Sequence, residues 1–166
     1  MIRIEARAVG STTPSATLTL PFERRCVTRQ KVVLDGGEEA GLFLPRGEVL
    51  RNGDLLVTLD ARVVRVVAAP EPVMVVRAAD ARQLARVAYH LGNRHVAVEV
   101  GEGVLKLERD HVLRAMLEGL GATVEDAVLP FEPEAGAYSG HSAGHTHAPG
   151  SVAALIAGPA PQRHGH

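Results

Sequence analysis

The chain has 166 residues, 46% of them hydrophobic but only 3% aromatic, with no Trp and a formal net charge of −1. An interior of Val, Leu, Ala and Ile suffices for one medium domain or two small ones. The scarcity of aromatic faces and of basic excess excludes a base-stacking platform and an electrostatic nucleic-acid footprint.

Cys26 stands alone, so no internal disulfide forms, which suits a reducing compartment. "MIRIEARAVG" alternates apolar and charged residues and lacks the apolar stretch of a signal peptide. No run approaches the ~20 apolar residues of a membrane span. The expectation is a soluble, cytoplasmic protein with no membrane partner.

The first 70 residues read as β-structure. Ile2, Ile4 and Ala6 alternate with Arg3, Glu5 and Arg7, the period of a half-buried strand. "ATLTL", "KVVLD" and "GLFLPRG" are short strands closed by Pro or Gly. Asn52-Gly53-Asp54 marks a tight turn between extended segments. "AAPEPV", with Pro70 and Pro72, is read as the domain boundary, because closely spaced prolines oppose helix on either side.

From residue 71 to 132 the pattern changes. "VMVVRA" is a strand. Asp80 is placed to cap a helix whose apolar face is Leu84, Val87, Ala88 and Leu91, with Gly92 as its stop. "VAVEV" and "VLKLER" are strands around the turn Gly101-Glu102-Gly103. Asp110 caps a second helix with Leu113, Met116, Leu117 and Leu120 inward, ended by Gly121. "ATVEDAVLPF" is the last strand. The order β-α-β-β-α-β is that of ferredoxin-like folds. The predicted class is therefore α+β: a small all-β domain, a ferredoxin-like domain and a tail, with boundaries at 1–70, 71–132 and 133–166.

The tail has no periodicity and is rich in Gly, Ala, Ser, Pro and His. Such a composition cannot bury enough apolar area to offset its ordering entropy. Five of the eight histidines lie in the last 26 residues: His141, His145, His147, His164 and His166. Neutral imidazole binds late first-row divalent ions, so this segment is read as a metal-binding device favouring Cu over Ni or Zn. The bland alternative is a solvated tail. "SVAALIAG" (151–158) is its one apolar stretch, suited to a short helix or to packing on a neighbour.

Elsewhere the chemistry is sparse. On pattern alone, His90 and His95 are more simply surface or interface residues than ligands. His111, at a helix start beside Asp110, is an alternative metal or proton site, weaker than the capping explanation. Arg24, Arg25 and Arg29 around Cys26 are of a kind that lowers a thiol pKa. No nucleophile elbow, P-loop, dinucleotide fingerprint or His-Glu-x-x-His is present, so no enzyme is expected.

Several stretches together resemble the urease accessory protein UreE family: "LDGGEEAGLFLPRGEVLRNGDLLV", "APEPVMVV", "AYHLGNRHVAVEV", "DHVLRAMLEGLG" and "PFEPEAGAYSGHSAGHTH", in that order over residues 1 to 147. The resemblance implies a β-domain like a chaperone peptide-binding module, a ferredoxin-like metal-binding domain and a variable tail. It implies a homodimer that brings nickel to apo-urease with other accessory proteins, among them an activation GTPase, with zinc or copper as alternative metals. The His of "GNRH", the family's principal nickel ligand at the dimer interface, carries over to His95. Arg109 stands where some members have a second histidine, which leaves His111 as the sole histidine of any auxiliary site. The competing reading is a protein-binding adaptor of the urease activation complex whose tail only buffers metal.

Overall fold

The computed structural model describes residues 1–10 and 12–136. Strands β1 (Ile2–Arg7), β2 (Ala16–Leu20), β3 (Arg29–Val33), β4 (Glu39–Phe43), β5 (Leu55–Thr58) and β6 (Val63–Ala68) form one sheet in the order β2-β6-β5-β1-β4-β3. Pairings β1–β4 and β2–β6 are parallel and the others antiparallel. Ile4, Leu18, Leu42, Leu56, Val64 and Val66 are fully buried in its core.

The far edges of this sheet approach each other at Asp35. Its N–H donates to the Thr17 carbonyl at 2.9 Å, and its carboxylate accepts from the Thr19 N–H at 3.0 Å. The Thr17 and Thr19 hydroxyls add bonds of 2.5 and 2.7 Å.

Two local expectations fail in this region. The alternation of β1 stops at Ala6, which is exposed, because a bulge shifts the β1–β5 register between Ile4 and Ala6. A bulge inserts an unpaired residue and turns the following side chains to the opposite face. Second, a single helical turn α1 (Phe22–Arg25) interrupts the strands. Pro21 stands at its N-cap in an extended conformation, and its carbonyl accepts from the Arg25 N–H at 3.1 Å.

The second sheet joins β7 (Pro70–Arg77), β8 (Glu99–Gly101), β9 (Val104–Glu108) and β10 (Thr123–Pro130) in the order β10-β7-β9-β8, all antiparallel. Helices α2 (Ala81–Gly92) and α3 (His111–Gly119) connect it. This is the split β-α-β arrangement expected of a ferredoxin-like fold. Met74, Val76, Leu105 and Leu107 of the sheet pack with Val87, Leu91 and Leu117 of the helices. The expected caps are present: Asp80 accepts from the Gln83 N–H, and Asp110 from those of Val112 and Leu113.

The stretch 68–73, read as the domain boundary, is largely strand. Only Ala69 separates β6 from β7. Pro70 and Pro72 pair with β10, while β9 joins β7 only from Val73 onward. Proline is tolerated in a sheet where a missing N–H has no partner strand to serve. Among the described residues no helix is long and apolar enough to cross a membrane.

Candidate metal centre

Helix α2 buries Val87 and Leu91, and its end governs the site. The His95 N–H donates to the Gly92 carbonyl at 3.0 Å, and the Val96 N–H to the Leu91 carbonyl at 3.4 Å. These two bonds define the Schellman closure of a helix, in which the residue making the shorter loop adopts the left-handed conformation. That residue is usually glycine. Here it is His95, with φ 54°.

Helix α3 provides the comparison. The Gly121 N–H donates to Glu118 at 2.9 Å and the Ala122 N–H to Leu117 at 3.0 Å, with Gly121 at φ 84°. The two ends share one hydrogen-bond pattern and differ in the residue at the left-handed position. A side chain there costs about 1 kcal/mol, although His tolerates it better than most.

The closure points His95 outward and returns Val96 and Val98 to the apolar cluster under the helices. His95 is exposed, beside a groove of about 190 Å³ lined by Ala88, Gly92, Val96, Ala97, Val98 and Val100, with Glu134 at its rim. The carbonyl end of α2 carries partial negative charge, which favours a cation at this place. Gly92 is not the stop expected from the sequence. It is the last helical residue, and the chain reverses three residues later.

A strap formed by residues 130–134 holds the strand after His95. The Glu134 N–H donates to the Val98 carbonyl at 2.8 Å, and the Glu132 N–H to Glu99 at 2.7 Å. Lys106 bridges Glu99, at 2.8 Å, and the Pro130 carbonyl, at 2.6 Å. Arg51 donates to the Pro133 carbonyl at 2.6 Å.

At the strap's centre Phe131 is fully buried and meets Phe22 edge-on at 5.5 Å. Arg25, also fully buried, donates to the Phe131 carbonyl, the Glu132 carboxylate and the carbonyls of Leu20 and Leu50. Sequence reasoning gave Arg25 only a part in the environment of Cys26. No local signal marks a partner 107 positions away.

The other candidates are placed differently. His111 opens α3 and is exposed. One carboxylate oxygen of its neighbour Asp110 accepts from Val112 at 2.8 Å and Leu113 at 2.9 Å, so capping occupies it. Arg109 pairs with Asp126 at 3.3 Å, and Arg114 holds the same carboxylate at 2.5 Å. His90 is half-buried, edge-on to Tyr89 at 5.5 Å.

Cys26 is exposed, yet desolvation pushes its thiol pKa up. Arg25 and Arg51 act in the lowering direction without reversing this. Desolvation thus outweighs the cationic surroundings read from the sequence, and Arg25 is itself paired with Glu132. His141, His145, His147, His164, His166 and the segment 151–158 lie outside the described residues. Among the described residues no three His, Cys, Asp or Glu side chains gather around a metal-sized space. The described part of the chain thus presents His95 as a lone, projecting imidazole.

A family model described as the UreE urease accessory protein, N-terminal domain, matches residues 3–69, and one described as the UreE urease accessory protein, C-terminal domain, matches residues 71–166. The chain belongs to the UreE family. Among curated relatives, each named urease accessory protein UreE, one from Burkholderia thailandensis is 60% identical over 131 residues, covering 79% of this chain and 60% of its own length. One from Burkholderia vietnamiensis is 57% identical over 130 residues, covering 78% and 65%. One from Burkholderia pseudomallei is 56% identical over 146 residues, covering 88% and 69%. The chain thus spans under two thirds of the length of the first two. The change between family models at residues 69 to 71 coincides with the passage from the first sheet to the second.

Proposed function

We propose that this UreE-family chain is a nickel-binding metallochaperone that delivers nickel to urease while its metallocentre is assembled. The observation that carries the proposal is His95, a metal-ligating side chain held outward at a backbone position where the fold itself favours glycine. Backbone strain of this kind clusters at functional sites. The family supplies the identity of the task.

The chemistry is capture, shielding and ligand exchange, with no bond made or broken in a substrate. A single imidazole holds an ion weakly. In a homodimer a two-fold axis would bring two copies of His95 together, and the apolar groove beside His95 is suited to being covered by a second protomer. Such a site leaves coordination positions open, as a carrier requires and a closed structural site does not provide.

The histidines of the tail, His141, His145, His147, His164 and His166, serve as additional ion-gathering ligands, with His111 a minor one. Zinc and copper compete for the same donors. The working partners are apo-urease and its accessory proteins, including the activation GTPase, in the cytoplasm. Binding requires neutral imidazole, so protons compete with the metal and affinity falls as pH drops.

The test is a nickel titration of the full chain beside His95→Ala, followed by urease activation at limiting nickel. The proposal expects loss of the tightest class of sites and slower activation. Unchanged tight binding would remove His95 from the site.

A second reading, a protein-binding adaptor, is favoured by one observation. Strand β3 is a sheet edge beside a cavity of about 320 Å³. Its ladder to β4 ends in bonds at Thr28 and Leu34, so Arg29, Lys31 and Val33 direct their backbone groups outward. Such an edge can take an added strand. Val33→Pro removes one outward donor, and activation at saturating nickel that is sensitive to this change would favour the adaptor.

A further inference from the structure

The outer face of α2 carries an uncompensated charge. Arg82 and Arg86 lie one helical turn apart, with Tyr89 beside them, opposite the buried Val87 and Leu91. Both arginines are exposed, as is Arg94 beyond the helix end, and Tyr89 is 66% exposed.

Seven arginines elsewhere among the described residues hold carboxylates. Arg82, Arg86 and Arg94 hold none, and their side chains make no hydrogen bond with another described residue. Helix α2 contains no Asp or Glu, and no acidic side chain follows Glu134 in the sequence.

The arrangement opposes the helix twice. Like charges four residues apart repel. A cation in the first turn also faces the positive end of the helix dipole. The Asp80 cap answers the dipole at the helix start, but no carboxylate on α2 stands between the two arginines.

The face is also concave. A depression of about 680 Å³ is lined by Ala79, Asp80, Arg82, Gln83, Arg86 and Leu120. Its one carboxylate, Asp80, is engaged at 2.8 Å by the Gln83 N–H as the helix cap. Gln83 itself bonds the Leu120 carbonyl at 3.1 Å and closes the floor. Arginine and tyrosine are the residue types that concentrate binding energy at protein interfaces.

We propose that this face of α2 is a docking surface for an acidic segment of a partner protein. Glutamate or aspartate side chains enter the depression and pair with Arg82 and Arg86, while Tyr89 covers the apolar part of the contact. Arg94 extends the positive charge along the chain to the residue before His95. The surface is independent of whether His95 binds metal.

The probe is fluorescein-labelled hexaglutamate, followed by anisotropy on the full chain at about 20 and about 200 mM NaCl, since exposed pairs are screened over this range. Saturable binding is expected at the lower salt. Arg82→Glu with Arg86→Glu should weaken it by about tenfold or more, and the corresponding Gln pair by less, because reversal adds repulsion to the lost attraction. Arg46→Glu with Arg65→Glu, two exposed arginines in the turn after β4 and in β6 without ion pairs, should leave it unchanged. Nickel titrations of both double variants should match the unsubstituted chain.

Binding retained by the Arg82/Arg86 variant, or lost equally in the Arg46/Arg65 variant, overturns the proposal. So does tighter binding of a short single-stranded DNA. A changed oligomeric state of the Arg82/Arg86 variant, read by light scattering, would assign the face to a second copy of the chain and overturn it as well.

Discussion

Helices α2 and α3 end in the same pair of hydrogen bonds, one around His95 and the other around Gly121. The Gly121 end is a solution to a folding problem: the chain must turn left-handed, and glycine does so freely. The His95 end solves the same problem with a residue that folding alone would not select. The difference separates what the backbone requires from what the surface is used for.

The His95 end has a second support that the Gly121 end lacks, the strap tied to Arg25. Cutting it is the largest perturbation. Arg25→Ala leaves the Glu132 carboxylate and the carbonyls of Phe131, Leu20 and Leu50 without their buried donor. A loss of about 3 kcal/mol is expected in urea unfolding. The amides of Glu132 and Glu134, which donate from the strap, should exchange faster with solvent, while Gly121 and Ala122 keep their protection. Equal changes at both helix ends would remove the distinction drawn here.

The next effect comes from placing histidine at the other end. Gly121→His puts a side chain at φ 84°, with its Cβ 2.6 Å from the Gln83 amide. Gln83 must then give up the Leu120 carbonyl. A loss of about 1–2 kcal/mol is expected by thermal unfolding. A neutral result would mean that the left-handed position is permissive in this fold and that the residue at 95 carries no information.

Much of this contrast was legible in the sequence, though not its decisive part. Asp80, Asp110 and Gly121 act locally, through bonds two or three residues long, and local pattern reading placed all three. Gly92 looked like the equivalent of Gly121, but the apolar period needs Leu91 inside, and the turn comes only once Val96 can return to the core. The resemblance, rather than the spacing, singled out His95.

The strap was illegible for another reason. "PFEPE" has no periodicity, and Arg25 finds Glu132 across most of the chain. Likewise the bulge at Ala6 follows from the register of β5, which the alternation of β1 does not contain.

The smallest effect lies outside both helix ends and serves as their control. Burial acts to raise the Asp35 pKa, but hydrogen bonds from Thr17 and Thr19 outweigh it and hold the carboxyl below its usual range. A depressed folded pKa stabilises above the unfolded value of about 3.9 and loses that contribution as pH falls through the folded value. Asp35 is exposed, so the contribution stays below about 1 kcal/mol. Urea unfolding at pH 6 and pH 3 should show a larger loss in the unsubstituted chain than in Asp35→Asn. Nickel binding by the two at neutral pH should coincide.

The central claim is that His95 is kept for its imidazole against the preference of the backbone. His95→Gly tests both halves of it in one protein. Thermal unfolding and nickel titration of this variant should diverge: stability unchanged or higher by up to about 1 kcal/mol, with the tightest nickel binding lost. A variant that is less stable than the unsubstituted chain and still binds nickel as tightly would contradict the account.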